Sequence, residues 1–425
     1  MSEEISSSER KKFSRDVVWN LFAFGVMGVS GILLNLLIGR FAGADALGVF
    51  NQVFALYILA SQAAVFGLHY STLRHVSEHA ESPQEWGRIV TSALALVVVV
   101  ASAVTLVSLL LAPLFGRVFE SPGLSVGWKL ALPGLWCFAL NKVLLSVLNG
   151  LRHMRAFAIA QAGRYVIMLS VLGVLLHRKA PGEELAVVLS VAEVALTVLL
   201  SLYLLRIWRP AGVSGLRAWM REHVDFGFKS FLSGTMVELN TRVDVLTLGL
   251  FLDDKAVGLY SMAAMLAEGF SQLSVVLRNN VNPLIARDVA EGAYERLQGR
   301  VKRISRGFAL ASFVIGGVAV ALYPVFLQIL GDPAFDPSFP VFAILIGGIV
   351  LASGYLPFNM LLLQAGRPGL HTGFMGLVVL TNIVANFALI PAYGILGAAA
   401  ATGASYVLSV VYLRLLARKS LGIAL

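Results

Sequence analysis

Apolar runs of about twenty residues recur from one end of this chain to the other, separated only by short clusters of charge, glycine and proline. No other feature constrains the fold as much. A run of that length pairs its own backbone groups as a helix and crosses the roughly 30 Å of hydrocarbon in a bilayer. With 58% hydrophobic and 13% charged residues over 425 positions, the chain has too little charge to coat a water-soluble globule. The expected fold is all-α and polytopic, with about twelve transmembrane helices and little room for an extramembranous enzyme domain.

Spans are expected near residues 17–39, 47–70, 89–115, 129–149, 156–177 and 184–206, then near 226–251, 256–281, 307–330, 339–364, 369–391 and 394–415. The first run, from Val17 to Ile38, is too long for a signal-peptide core and should remain as an anchor. Of the 33 Lys and Arg, about 23 fall at the termini and in the even-to-odd connections, against about 6 on the opposite side. The positive-inside bias then puts both termini in the cytoplasm. The formal charge of +9 is explained by this topology, and no continuous basic face invites nucleic acid. The lone cysteine, Cys137, excludes a disulfide framework within one chain.

Two lobes follow from the span count: residues 1–210, with a short cytoplasmic N-terminal segment, and residues 211–425, opening with an amphipathic linker at 211–225. In that linker Leu216, Trp219, Met220 and Val224 repeat at helical spacing beside Arg217 and Arg221, which suits a helix on an anionic leaflet. A shift of about 210 residues sets Gly39, Phe41, Ala46, Gly48 and Phe50 against Gly249, Phe251, Ala256, Gly258 and Tyr260. Even numbers of spans preserve orientation, so the lobes should be parallel repeats about an axis along the membrane normal, with a central cavity near the midplane.

Several segments resemble one family. They are Gly39-Arg40-Phe41 with Ala46-Leu47-Gly48-Val49-Phe50, Asp244 with Leu248-Gly249 and Val257-Gly258-Leu259-Tyr260, and a final set. That set is Asn386, Pro391, Tyr393-Gly394, Gly397-Ala398-Ala399-Ala400, Thr402 and Ser405-Tyr406. The chain is similar in these to the Wzx-type polysaccharide flippases of the multidrug/oligosaccharidyl-lipid/polysaccharide exporter superfamily, which also holds lipid II flippases and MATE drug exporters. The resemblance implies two six-helix lobes, alternating access, and movement of undecaprenyl-pyrophosphate-linked oligosaccharide to the outer leaflet of a bacterial inner membrane. Polysaccharide polymerase and chain-length proteins are implied as further partners. Leu33 and Asn35 stand about where the lipid II branch has a first-helix arginine, which speaks against that substrate.

Ionisable groups at bilayer depth are costly and tend to face a cavity or a partner. Lys142 and Arg164 in the first lobe could bind pyrophosphate, the arginine as a bidentate fork and the lysine as a point charge. The competing account pairs Arg164 with Glu193 on the sixth span. Arg242, Arg278 and Arg74 are further candidates for the anion; Arg242 shares a helix face with Glu238, which favours an internal ion pair, and the other two lie toward the cytoplasmic mouth, where they also fit the inside-positive bias. The resemblance to the lipid II branch implies a sodium site built from Asp244, Asn382, Asn386 and Thr402, although Asn386 replaces a second carboxylate. A proton through Asp244, Glu193 or Glu268, or interhelical hydrogen bonding alone, are the alternatives.

The expected function is therefore that of a secondary transporter with no covalent step and no cofactor beyond a coupling Na+ or H+, since no phosphate loop or nucleotide fingerprint is present. A MATE-like exporter of amphipathic cations would want an acidic cavity. A membrane-embedded glycosyltransferase or ligase would want a large outer loop or a metal-binding carboxylate motif, and the outer loops here are short. His69, His75, His153 and His371 lack metal-ligand spacing.

Overall fold

The computed structural model describes residues 7–208 and 215–422, so the start of the expected linker, 211–214, lies outside the described residues. The helices are α1 (Ser7–Val65), α2 (Leu68–Glu78), α3 (Pro83–Val118), α4 (Pro122–Gly150), α5 (Met154–His177) and α6 (Val187–Leu204). They continue as α7 (Leu216–Phe251), α8 (Asp254–Ala290), α9 (Tyr294–Leu330), α10 (Ser338–Ser353), α11 (Leu361–Gln364) and α12 (Pro368–Leu421). No strand occurs among the described residues. The all-α fold expected from the apolar runs is observed.

Seven stretches are long and apolar enough to cross a membrane, and α10 with α11 adds an eighth when taken together across a 59° bend. Two of the seven are double. Val18–Val65 runs for 48 residues and Pro368–Leu421 for 54, or about 70–80 Å at 1.5 Å per residue, more than twice the hydrocarbon thickness. Each is broken by a glycine in backbone geometry that a Cβ would oppose: Gly43 (φ 88, ψ 177) in α1 and Gly394 (φ 58, ψ −136) in α12. Counting α1 and α12 twice and adding α7 and α8 restores the expected twelve. The last two fall short on apolarity because they carry Glu238, Arg242, Asp244, Glu268 and Arg278.

The chain forms two compact units that do not follow the expected division at residue 210. One comprises the chain up to Ile38 with Val53–Thr235; the other comprises Gly39–Gln52 with Met236 onward. In the second unit Gln52 donates to Asp254 Oδ1 at 2.6 Å, tying the transferred segment to the start of α8.

The amphipathic stretch expected as a linker forms the opening turns of α7, since nothing between Leu216 and Phe251 interrupts the helix. A Cβ on Gly67 would meet the Gly227 carbonyl, and one on Gly227 would lie 2.5 Å from Phe66 O, so bare backbones touch here. One turn earlier on α7, His223 is fully buried, with Nδ1 2.8 Å from Ser71 Oγ and Nε2 donating to Ile89 O at 3.0 Å. Burial pushes the His223 imidazole down to about 4, against a smaller opposing effect of its bond to Ile89. Trp219 donates to Glu85 Oε1 at 2.7 Å, and that bond holds the Glu85 carboxyl below its usual range.

Within the first unit Pro133 opens the hydrogen-bond ladder of α4, and a serine on α6 bridges the next carbonyl and amide, Leu130 and Gly134. Ser190 Oγ donates to Leu130 O at 2.5 Å and accepts from Gly134 N at 2.9 Å. Elsewhere in this unit Trp86, Ile89, Leu144, Leu148, Leu196 and Leu200 form a buried apolar cluster. The second unit has its own cluster, including Ile285, Leu297, Phe358, Leu361, Phe374 and Leu413. Large apolar side chains such as Val99, Leu110, Leu310 and Phe313 are exposed, which suits helices whose outer solvent is lipid.

Candidate functional site

The first unit gathers its intramembrane charges around one aromatic ring. Arg164 on α5 and Lys142 on α4 both lie over Phe138, each 4.9 Å from its centroid. Phe138 and Lys142 are one turn apart on α4, so they share a face by helical geometry. Lys142 Nζ also approaches Ser61 Oγ on α1 at 3.4 Å. The Tyr57 ring, one turn before Ser61, packs on Phe138 at 5.4 Å.

Arg164 is 9% exposed and Glu193 3%. Arg164 Nε lies 2.7 Å from Glu193 Oε1, an ion contact whose angle falls outside hydrogen-bond geometry. The carboxylate is held from the other side: Asn141 Nδ2 donates to Glu193 Oε2 at 2.8 Å and to the Glu193 carbonyl at 2.9 Å, and Thr197 donates to Asn141 Oδ1 at 3.0 Å. The pairing of Arg164 with Glu193 is thus present. The Lys142 ammonium, also over the Phe138 ring, is a second cation beside this pair. One Arg164 terminal nitrogen, Nη2, is buried without a hydrogen-bond partner, a strong donor left unused.

The second unit holds Asp244 fully within protein. Tyr260 on α8 donates its hydroxyl to Asp244 Oδ2 and lies 3.4 Å from Thr402 Oγ1 on α12. Also on α12, Asn386 Nδ2 donates to the carbonyl and to Oδ1 of Asn382, both at 2.9 Å. Asn382 Nδ2 in turn reaches Asn240 O on α7 at 3.4 Å. Asn240 and Asp244 are one turn apart, as are Asn382 and Asn386. The side-chain oxygens of Asn240 and Asn386 are both buried acceptors with no donor.

A carboxylate, two orphaned amide oxygens and a hydroxyl form a hard-oxygen donor set, which fits a monovalent cation in chemistry. No cluster of three or more His, Cys, Asp or Glu suited to a metal occurs among the described residues. Asn240 and Tyr260 were not singled out from the sequence. Asn240 carried a usable signal, its position four residues before Asp244; Tyr260 appeared as the repeat partner of Phe50 and in a family segment, with no role at the site.

The remaining candidates are spread out. Arg74 is exposed, pairs with Glu78 on its own helix at 2.9 Å and lies over the Phe226 ring at 5.4 Å. Arg242 is exposed to an intermediate degree or more on α7. Arg278 is half-buried on α8, with no ion-pair partner among the described residues.

Residues 13–287 match the polysaccharide biosynthesis protein family. The chain belongs to that family. Its fold is shared with solved transporters. An inward-facing MATE multidrug resistance transporter of the MOP superfamily superposes with a TM-score of 0.77 at 11% identity, covering 95% of this chain and 98% of its own. The lipid II flippase MurJ, in an inward closed conformation, gives 0.76 at 13% identity, over 94% and 87%. The MATE multidrug transporter DinF-BH gives 0.62 at 17% identity, over 98% and 97%. No curated protein matches the chain. This member of the polysaccharide biosynthesis family is a multi-pass membrane protein with the MOP transporter fold.

Proposed function

We propose that this chain moves undecaprenyl-pyrophosphate-linked oligosaccharide across the bacterial inner membrane by alternating access. The observation that carries the reading is the Arg164, Lys142 and Glu193 group. Its unused guanidinium donor, Arg164 Nη2, is held at bilayer depth beside Phe138, next to the Lys142 ammonium. A buried guanidinium donor without an acceptor is costly in an empty site, and a phosphate supplies that acceptor.

Each residue has a part in this reading. Asn141 and Thr197 fix the Glu193 carboxylate, and Glu193 fixes Arg164, so one face of the guanidinium is committed and the other remains for the anion. Lys142 on its four-carbon stem follows the second phosphate. No bond in the cargo is made or broken. Membership in the polysaccharide biosynthesis family supports a saccharide cargo, and the fold supports transport.

Coupling is assigned to Asp244, Asn240, Asn386 and Thr402, which would hold a sodium ion. A bound cation would supply positive charge to a buried carboxylate otherwise held by the Tyr260 hydroxyl and the Val245 amide. Tyr260 must release Asp244 or rotate with it when the site changes occupancy.

The test is translocation in proteoliposomes, comparing a defined pyrophosphate-linked oligosaccharide with an amphipathic cationic dye. The proposal expects the saccharide to move and Arg164→Ala to stop it. Movement of the dye alone would assign the chain to cation export.

A further inference from the structure

A second basic site in the first unit uses none of the residues assigned to cargo or coupling ion. Arg15, Trp19, Arg152, His153, Arg155 and Tyr203 line a cavity of about 410 Å³ between the start of α1, the α4–α5 turn and the end of α6. The apolar stretches of these helices begin at Val18 and Met154 and end at Leu204. The cavity therefore sits at one membrane face, at headgroup depth, where amphipathic Trp and Tyr rings belong.

Its charge is lopsided. Three arginines face one carboxylate, Asp16, which lies 3.8 Å from Arg152. Arg155 is drawn over the Trp19 ring at 5.4 Å, which fixes its position without neutralising it. The first turn of α5 adds to this, because the His153 side chain does not cap it, and Met154, Arg155 and Ala156 line the cavity. The walls are tied together within the unit: His153 Nδ1 is 3.0 Å from the Tyr203 hydroxyl, and Asn20 Nδ2 lies 3.9 Å from Met154 S.

Arg152 is placed by the turn that ends α4. It has φ 56, the left-handed conformation that glycine adopts at little cost, and it occupies the position after a helix end where glycine is usual. Arg152 N bonds to Asn149 O at 2.9 Å and His153 N to Leu148 O at 2.8 Å, completing that helix-ending motif. Beneath the cavity Val18, Leu21, Phe22, Ile159 and Leu202 are exposed apolar residues on the same three helices.

We propose that this cavity binds the phosphate of an anionic glycerophospholipid as a resident, structural lipid, independent of the cargo. The arginines and the α5 amides hold the phosphate, the aromatic rings border the headgroup, and the apolar residues below take the acyl chains. A free phosphate would leave those apolar contacts unused. A transported lipid would need the walls to part, and His153–Tyr203 and Asn20–Met154 hold them together.

The full-length protein, delipidated in detergent, is titrated with phosphatidylglycerol, phosphatidylcholine, a polyprenyl diphosphate and inorganic phosphate, with retained lipid counted by native mass spectrometry. Wild-type protein is expected to hold one phosphatidylglycerol about tenfold more tightly than phosphatidylcholine. Arg152→Gly, which relieves the left-handed strain, is expected to keep or raise the melting temperature of the delipidated protein while weakening that preference; Arg155→Ala removes a second contact and should weaken it further. The proposal is overturned if wild type holds both phospholipids equally, or if both variants keep the preference. It is also overturned if inorganic phosphate or the polyprenyl diphosphate displaces phosphatidylglycerol at lower concentration than phosphatidylglycerol itself.

Discussion

Gly48 and Gly258, 210 residues apart in the chain, cross backbone to backbone within the second unit. A Cβ on Gly48 would strike the Asp254 carbonyl and lie 3.0 Å from Gly258 N, and a Cβ on Gly258 would strike the Ala44 carbonyl and lie 3.0 Å from Gly48 N. Ala44 and Asp254 are also 210 apart. The contact is reciprocal, as a local two-fold relation between equivalent segments requires, and it gives the glycine repeated at 48 and 258 a structural purpose.

Gly48→Ala and Gly258→Ala should therefore be equally damaging. Overpacking against backbone costs about 1–3 kcal/mol or more, since neither carbonyl can move without breaking its helix. Gly25→Ala, where nothing lies within 4 Å, is the control and should be neutral or slightly stabilising. Melting temperature and yield in detergent measure this.

Breaking the buried ion pair separates structure from transport. Glu193→Ala leaves Arg164 buried beside Lys142 without its carboxylate, at a cost of about 3–5 kcal/mol. Arg164→Met with Glu193→Leu replaces the pair by apolar volume and should recover most of that stability. Transport should stay absent in the double variant. Recovery of transport together with stability would make the pair purely structural.

Acid should loosen the start of α7. His223 lies before the expected span, and its imidazole is pushed down to about 4 by burial, against a reference value near 6.5. A histidine kept neutral by folding adds stability that is complete above about pH 6.5 and is lost as the pH falls toward 4, up to about 3 kcal/mol. The Glu85 carboxyl, held low by Trp219, changes in the same direction. Hydrogen-exchange protection factors, corrected for the intrinsic rate at each pH, should fall in residues 216–225 from pH 7 to 5 in wild type, and less in His223→Gln.

Sodium should stabilise the second unit. A ligand at one hundred times its Kd adds about 2.7 kcal/mol, so the melting temperature should rise with sodium and not with choline at equal ionic strength. Asp244→Asn and Asn386→Leu should abolish the rise. Asn240→Leu should reduce it, because its side-chain oxygen is one of the two orphaned acceptors.

The fold was legible in the sequence through period and length: twelve apolar spans and a 210-residue repeat lead to a helical membrane protein in two halves. Arg164, Glu193, Lys142 and Asp244 were marked as well, because charge at bilayer depth is rare enough to stand out. Tyr260 was hidden, since aromatic residues are common in membrane helices and its bond to Asp244 depends on how α7 and α8 pack. The membership of Gly39–Gln52 in the second unit was hidden too, because hydropathy records burial and not which helix provides it. Arg152 and Arg155 were not singled out in the sequence; the turn between α4 and α5 places them by Asp16 and Trp19.

The central claim is that the cations beside Phe138, Arg164 and Lys142, bind the phosphate of the cargo. The most direct measurement is the affinity of the purified protein for a short-chain polyprenyl-pyrophosphate saccharide, in wild type and in Lys142→Gln, with the phosphate-free saccharide as control. The account predicts at least about tenfold weaker binding in the variant and no measurable binding of the control. Equal affinity in wild type and variant, or equal binding of the phosphate-free saccharide, would contradict it.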